Sequence, residues 1–537
     1  MAIDIVEGLK AIAETRSADG NSPPPGSFNI KECTLQHGDD KKYDISTLVM
    51  EVHFFEDIEQ LGISGWLKIK DNINLIRNAL IIGEELLWLD FETAGATEAG
   101  LRNWSVRGQP LYIHKIEEII SPESNTGQTT QSHLEYRLHF CSTEMITNDR
   151  MRLSKTFQGT IGSSAASGGK DGIIADILLK EMKIAKPIYC ARTIGLKHFV
   201  TPNMHPFDLI TFLANSAQSY TGDDVRGPQE SMSMNMFKNQ HSDFVIFETA
   251  QRYSTEDGGW FLVPLQREMS SDDLIFTLNN AMTTSGSSEG SSRGGGGLTG
   301  YAAAMLRSKS FEYVTTGDKW KSVRAGAWAA KQIRHNSVHK SFKTYKSDYL
   351  KQLKKDTYSH ASETPVYWPP DPAWRKISEW PEANISFSSS SGSKNVSNIN
   401  TNTRRASYPW KKSAPEQFLR RRLQLNHMLN YERVSCEMYG ISGLQIGKHA
   451  KAEFPQIGLG SGSPEETGLG GSRDLYDSDR NNNTWMITKV AHHIIFNDDI
   501  PYKTTMELTN TMRSTARKLP VYGSLTGAHT GQSTAGR

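Results

Sequence analysis

Cysteine is scarce in this chain. Its 537 residues hold four, Cys33, Cys141, Cys190 and Cys436, and no two are spaced as Cys-x-x-Cys. That scatter argues against a dithiol redox motif, a zinc ribbon or a disulfide framework, and reduced structural thiols are expected. Long apolar runs are also missing: none approaches the ~20 residues a membrane-crossing helix needs. The first residues, Met1 to Gly8, lack a basic stretch and place Asp4 and Glu7 among the apolar positions, so they do not read as an export signal. Ile3, Val6, Leu9 and Ile12 instead predict a short amphipathic helix.

Catalytic signatures are absent as well. A phosphate loop fails at its nearest string, Ser167-Gly168-Gly169-Lys170, which continues with Asp171 rather than a hydroxyl residue and lacks the earlier glycine. Gly62-Ile63-Ser64-Gly65 and Gly440-Ile441-Ser442-Gly443 place the second glycine one residue too early for a nucleophile elbow. His335 and His339 have the spacing of helical metal ligands, but no third ligand or HExxH glutamate accompanies them, and a solvated basic helix is the expectation. His492 and His493 are adjacent in a strand-like run, so their rings should face opposite sides and cannot readily share an ion. The pairs Glu84-Glu85 and Asp498-Asp499 carry no acid–base signature. No catalytic, cofactor-binding or metal-binding residue, and no cofactor, is assigned.

What the chain does have is the same β pattern twice, between about residues 64–141 and 436–508. Ile82-Gly83-Glu84-Glu85-Leu86-Leu87-Trp88 opens the first copy; Leu111–Ile116 and Leu134–Phe140 follow. Ile446-Gly447-Lys448-His449-Ala450 opens the second; Trp485–Val490 and Tyr502–Leu508 follow. Each copy reads as a glycine turn and three strands with partial apolar alternation. Two similar β units let a symmetric assembly present twice as many equivalent parts as it has subunits, which suits an adaptor better than a catalyst.

The fold class expected is α+β, mainly β, with two similar β-barrel-like tube domains, a helix-containing middle domain and extended insertions. The divisions are an N-terminal helix and linker over 1–26, a first barrel over 27–160 and a middle domain over 161–282. A flexible linker follows over 283–300, a basic and Trp/Pro-rich insertion, partly middle domain, over 301–424, a second barrel over 425–515 and a disordered tail over 516–537. In the middle domain, helices are predicted over Asp171–Met182 and from Pro206 to about Ala217, with Leu209, Ile210, Phe212 and Leu213 as the apolar face of the second. A two-strand excursion is predicted over 243–264, with Gly258-Gly259 as its turn. Residues 162–169, 386–403 and 456–483 read as flexible or loop segments.

The net charge of +1 conceals an asymmetry: residues 1–100 carry 18 acidic and 8 basic side chains, residues 301–360 carry 4 and 13. Opposed segments of this kind favour registration between subunits, or are simply two solvated faces. Tyr301, Phe311, Trp320, Trp328, Phe342 and Tyr345 lie in or beside the basic segment, but near-neutral overall charge favours a subunit contact over strand binding.

Several stretches resemble the central baseplate hub protein of contractile-tailed, T-even-type bacteriophages. They are Gly65–Asp71 with Ile82–Glu85, Leu134–Glu144 continuing through Arg152–Gly159, and Val200–Ile210 with Leu213-Ala214. Trp485–His492 is similar to late-control and secretion-spike hub proteins as well. The resemblance covers roughly 27–280 and 425–512 and leaves the insertions unaccounted for. It implies a homotrimer with six near-equivalent barrel units around a channel, a hexameric tail tube or tube-initiator protein on one face and a trimeric central spike on the other. Tape-measure and baseplate-wedge proteins are further implied partners, DNA is a passing cargo, and the location is the virion tail baseplate, assembled in the host cytoplasm. The acidic first hundred residues would rim or line the channel. Because the chain ends soon after its last strand, a separate spike protein is expected. The alternatives are a secretion-system spike hub, a monomeric adhesin, or a tail-associated cell-wall hydrolase using Trp374, Trp380 and Trp410 to stack on sugars.

Overall fold

The computed structural model describes residues 24–38, 41–79, 81–94, 104–105, 110–120, 133–162, 171–193, 197–217, 244–251, 257–264, 274–280, 305–315, 329–336, 341–348, 384–389, 432–452, 484–496 and 498–510. The predicted N-terminal helix, the loop 456–483, the linker 283–300, the Trp/Pro segment 364–381 and the tail 516–537 lie outside them.

The first half of the chain forms β1 (Phe28–His37), β2 (Lys41–Asp44), β3 (Val49–Asp57), β4 (Ser64–Asp71), β5 (Leu86–Thr93), β6 (Trp104–Ser105), β7 (Leu111–Ile120) and β8 (Leu134–Ser142). A one-turn helix α1 (Leu75–Asn78) crosses between β4 and β5, and α2 (Thr143–Arg150) follows β8. The middle segment contributes β9 (Thr156–Gly159), α3 (Ile173–Asp176, running into a π turn at Ile177–Glu181), β10 (Ile188–Cys190), β11 (Lys197–Val200), α4 (Pro206–Ser216), β12 (Phe244–Gln251) and β13 (Asp257–Pro264). The rest forms β14 (Leu274–Asn280), β15 (Arg307–Ser308), β16 (Ser310–Thr315), β17 (Ala329–Asn336), β18 (Ser341–Asp348), β19 (Asn384–Ser389), β20 (Glu432–Tyr439), β21 (His449–Ala452), β22 (Thr484–Ile495) and β23 (Tyr502–Asn510). The molecule is mainly β, in the α+β class expected from its sequence.

Fifteen of these strands join one hydrogen-bonded sheet. In its first part the order is β3-β4-β8-β7-β5-β1, all antiparallel. In its second part the order is β16-β20-β23-β22-β21-β14. The two copies read from the sequence therefore share strand order, with β4, β5, β7 and β8 matching β20, β21, β22 and β23. The turn glycines match as well: Gly83 and Gly447 both have left-handed backbone, at φ 91° and 78°. The sixth strand breaks the likeness, since β1 meets β5 antiparallel but β14 meets β21 parallel.

The second set closes on itself. β15 pairs with β14, β16 pairs with β20, and only Lys309 separates β15 from β16, so one bent strand completes the ring. Closure removes the exposed edges an open sheet would present. The sequence reading grouped 274–280 with the middle domain and 310–315 with the insertion, whereas their backbone hydrogen bonds run to the second barrel. Each strand supplies half of a ladder whose partner is more than a hundred residues away, so local pattern cannot reveal it.

The first unit is barrel-like in strand order and is not closed by strand pairing among the described residues, and each unit packs around a core of its own with some side chains lent by its neighbours. Leu35, Val52, Leu67, Leu89, Ile113 and Leu138 point into the first; Val434, Met438, Trp485, Ile487, Met506 and Leu508 point into the second. A third cluster, around Ile174, Leu178, Ile210, Leu213, Phe244 and Trp260, holds the middle domain. The helix at Pro206–Ser216 forms as predicted and buries Leu209, Ile210 and Leu213, but Phe212 is 57% exposed and lies off its apolar face. The Gly258-Gly259 pair is not a turn. Both residues lie inside β13, and a Cβ on Gly259 would sit 2.1 Å from the Pro187 carbonyl oxygen, so the glycine permits close backbone approach. His335 lies in β17 rather than a helix, and Ser386–Ser389, at the start of the 386–403 stretch expected to be flexible, belong to β19, which runs parallel to β17.

Candidate functional site: the seam between the barrels

The two barrels meet along β22. This 12-residue strand pairs with β21 through Thr484–Met486 and then with β3 through Lys489–Ile495, while β23 pairs along its other edge from Met486 to Ile494. One strand thus belongs to both barrels, and its hydrogen bonds fix their relative position.

Because side chains alternate along a strand, β22 presents a different row on each face. On one face, Lys503, His493, His53, Trp66 and His139 stand in register across five neighbouring strands. His53 Nδ1 and His493 Nδ1 are 2.7 Å apart, so one neutral ring donates its proton and the other accepts it. Trp66 stacks on His53 with 4.0 Å between ring centroids, and the Arg137 guanidinium lies 4.5 Å from the indole. Burial, aided by the Arg137 charge, lowers the His53 pKa to about 4. Burial, aided by the His53 charge, does the same for His493.

On the other face, His492 is fully buried. Its ring stacks on Phe54 at 4.4 Å, and its Nδ1 is 2.7 Å from the Tyr502 hydroxyl. Burial holds this imidazole neutral. Tyr502 and Ile494 come from the second copy, yet they pack in the first barrel's core beside Phe54 and Phe91. The two adjacent histidines therefore lie on opposite faces, as strand geometry requires, and each is a packing element.

Next to this cluster the strand ends are tied directly. The Ser442 amide donates to Thr93 Oγ1 at 3.0 Å, the Thr93 amide donates to Ser442 Oγ at 3.2 Å, and Thr93 Oγ1 donates to the Gly440 carbonyl at 3.2 Å. Gly440 and Ser442 belong to the failed elbow string. Their role is to let the chain pass under the Tyr502 ring and bond across the seam, a partnership with no local sequence signal.

The acidic character of residues 1–100 is partly internal. Glu56, Asp71, Glu85 and Glu92 are each at most 2% exposed. Glu85 accepts the amides of Ile82, Gly83 and Glu84 around the turn glycine; Asp71 accepts those of Ile73 and Ile76 at α1. Glu56 accepts from the Thr249 hydroxyl and Ala250 amide, which docks the middle domain onto β3. Of the two carboxylate pairs, Glu84-Glu85 is thus a turn, and Asp498 pairs with Lys503 at 2.7 Å.

All four cysteines are buried free thiols, and burial is the main cause that pushes each thiol up to about 12. Among the described residues there is no group of three or more His, Cys, Asp or Glu placed to hold a metal ion, and no helix long and apolar enough to cross a membrane. Trp374, Trp380, Trp410 and His339 lie outside the described residues.

The fold is that of a mainly β protein with two barrel-like units of matching strand order and a docked helix-containing domain. No family model and no curated protein matches the chain. Among solved structures, it is similar to a tail protein from Neisseria meningitidis MC58, with TM-score 0.43 and 9% identity over 91% of this chain and 99% of that one. It is similar to the 43 kDa tail protein of prophage MuSo2 from Shewanella oneidensis, with TM-score 0.41, 9% identity, and 91% and 99% covered. It is also similar to the E. coli c3393 protein, a component of the type VI secretion system with structural similarity to the T4 bacteriophage tail proteins gp27 and gp5. That likeness has TM-score 0.37 and 8% identity over 92% of this chain and 80% of the other. The structural neighbours are thus phage tail and secretion-system proteins.

Proposed function

We propose that this chain is the structural hub of a contractile phage tail baseplate, and that it assembles rather than catalyses. Three copies form a ring in which six barrel units alternate, first copy and second copy, around a channel. A hexameric tail tube or tube initiator seats on one face, and a trimeric spike seats on the other. The observation that carries this reading is the shared strand order of the two barrels together with β22, the strand common to both. A seam with a continuous ladder and a buried aromatic core lets each chain act as one body with two similar faces, which matches threefold to sixfold symmetry. The sequence resemblance points the same way. DNA passes through such a ring without being bound tightly, and the assembled protein resides in the virion tail.

Native mass spectrometry of the purified chain tests the stoichiometry: the expected species has three times the 59.9 kDa chain mass. Cryo-electron microscopy of that species should then show alternating barrels in a sixfold-like ring. A monomer at micromolar concentration, or a ring in which the second barrel stands outside the channel wall, refutes the proposal.

A further inference from the structure

Where the middle domain docks on the first barrel, four side chains converge in a buried site. Lys186, from the loop before β10, has its amine in contact with Glu248 Oε1 and 3.1 Å from Glu144 Oε2. The Lys186 side chain is 6% exposed, Glu144 2% and Glu248 0%. The other Glu248 oxygen, Oε2, accepts the Ser142 hydroxyl at 2.6 Å and the Ile63 amide at 3.3 Å. Trp260 lies directly across the strand pair from Glu248, and Phe207 packs on Trp260.

One cation between two carboxyl groups is an unbalanced arrangement for a buried ion pair. Burial, then the Glu248 charge, raises the Glu144 pKa, which favours its neutral acid. The same groups form a complete set for condensation: an amine, a carboxyl carbon beside it, two donors on the oxygen that would gain charge, and an acid in contact with the amine.

We propose that Lys186 and Glu248 condense into an intramolecular isopeptide bond. Glu144 relays one proton from the Lys186 ammonium to Glu248 Oε1, leaving a free amine and a neutral acid. The amine attacks Glu248 Cδ, and the negative charge forms on Oε2 between the Ser142 hydroxyl and the Ile63 amide. Glu144 then moves a second proton from nitrogen to Oε1, the Cδ–Oε1 bond breaks, and water leaves. The amide keeps the third proton, Glu144 is returned as it began, and neither oxidant nor cofactor is required. Although burial opposes the Lys186 charge, the two glutamates raise its pKa, so the relay step must come first. The bond closes a loop from 186 to 248 and ties β12 to the segment before β10 within the middle domain, a covalent brace for a part that, on the proposed function, bears load.

Intact mass spectrometry of the purified full chain, denatured before measurement, is the test. The expected mass is about 18 Da below that of the sequence, and digestion should yield one branched peptide joining Lys186 to Glu248. K186R restores the full sequence-derived mass. E144Q, or E144D if the amide impairs folding, slows condensation at least tenfold during refolding. A wild-type chain that is folded and carries its full sequence mass overturns the proposal. Condensation of E144Q at the wild-type rate overturns the part given to Glu144.

Discussion

Acidification should weaken the seam through His53 and His493. Both imidazoles are neutral in the fold, with pKa values lowered to about 4, while in the unfolded chain they titrate near 6.5. Between those values the unfolded chain binds more protons, so stability is fully present above pH 6.5 and declines as pH falls towards 4. Each ring would lose roughly 3 kcal/mol over that range if fully shielded; water reaching the half-buried pair reduces this to about 1–2 kcal/mol each. The neighbouring charges do not offset the loss. Glu51 lies 3.5 Å from His53 Nε2 and Glu437 favours the His493 cation, but Arg137 acts against one ring and Lys503 against the other. Urea unfolding followed by tryptophan fluorescence, at intervals from pH 7.0 to 4.5, measures the effect on wild type and on H53Q/H493Q. The double variant keeps polar side chains that do not titrate, so subtraction cancels every other group. The expected difference in stability shrinks by about 2–4 kcal/mol between pH 7.0 and 4.5. Parallel pH profiles for the two proteins would refute the reasoning.

Three further outcomes follow from the packing. A Cβ on Gly440 would lie 2.1 Å from Tyr502 Cγ, and that ring is fully buried, so G440A should cost about 3 kcal/mol or more, read as a fall in thermal midpoint. Thr93 and Ser442 bond across the seam, so T93V and S442A should be non-additive, with a coupling of about 1 kcal/mol in a double-mutant cycle on urea stability. The cysteines should resist iodoacetamide at pH 8 in the native protein and take up four equivalents once it is unfolded, counted by mass spectrometry.

The legible parts of the chain were those whose physics is local. Period-two alternation placed the strands read in each of the two copies, and Gly83 and Gly447 could be matched because each turn needs a left-handed residue. Pro206 marked the start of its helix. Less legible were features in which one residue type serves two purposes. Gly258-Gly259 resembles a turn, but space for the Pro187 backbone is what the site requires. The acidic excess of the first hundred residues resembles a surface property, but four of its carboxylates are buried acceptors for backbone amides, hydroxyls or Lys31.

The sequence by itself determined the mainly β class, the paired β pattern and the opposite facing of His492 and His493, because strand period and turn chemistry act over a few residues. Tertiary structure alone decided which strands close the second barrel, that β22 serves both barrels, and that Thr93 meets Ser442 and Lys186 meets Glu144 and Glu248. The Lys186 contacts and the Thr93–Ser442 bond join residues from 42 to 349 apart, and His53 meets His493 across 440. Their free energy comes from burying surfaces that only the folded chain brings together, and short-range pattern holds no record of it.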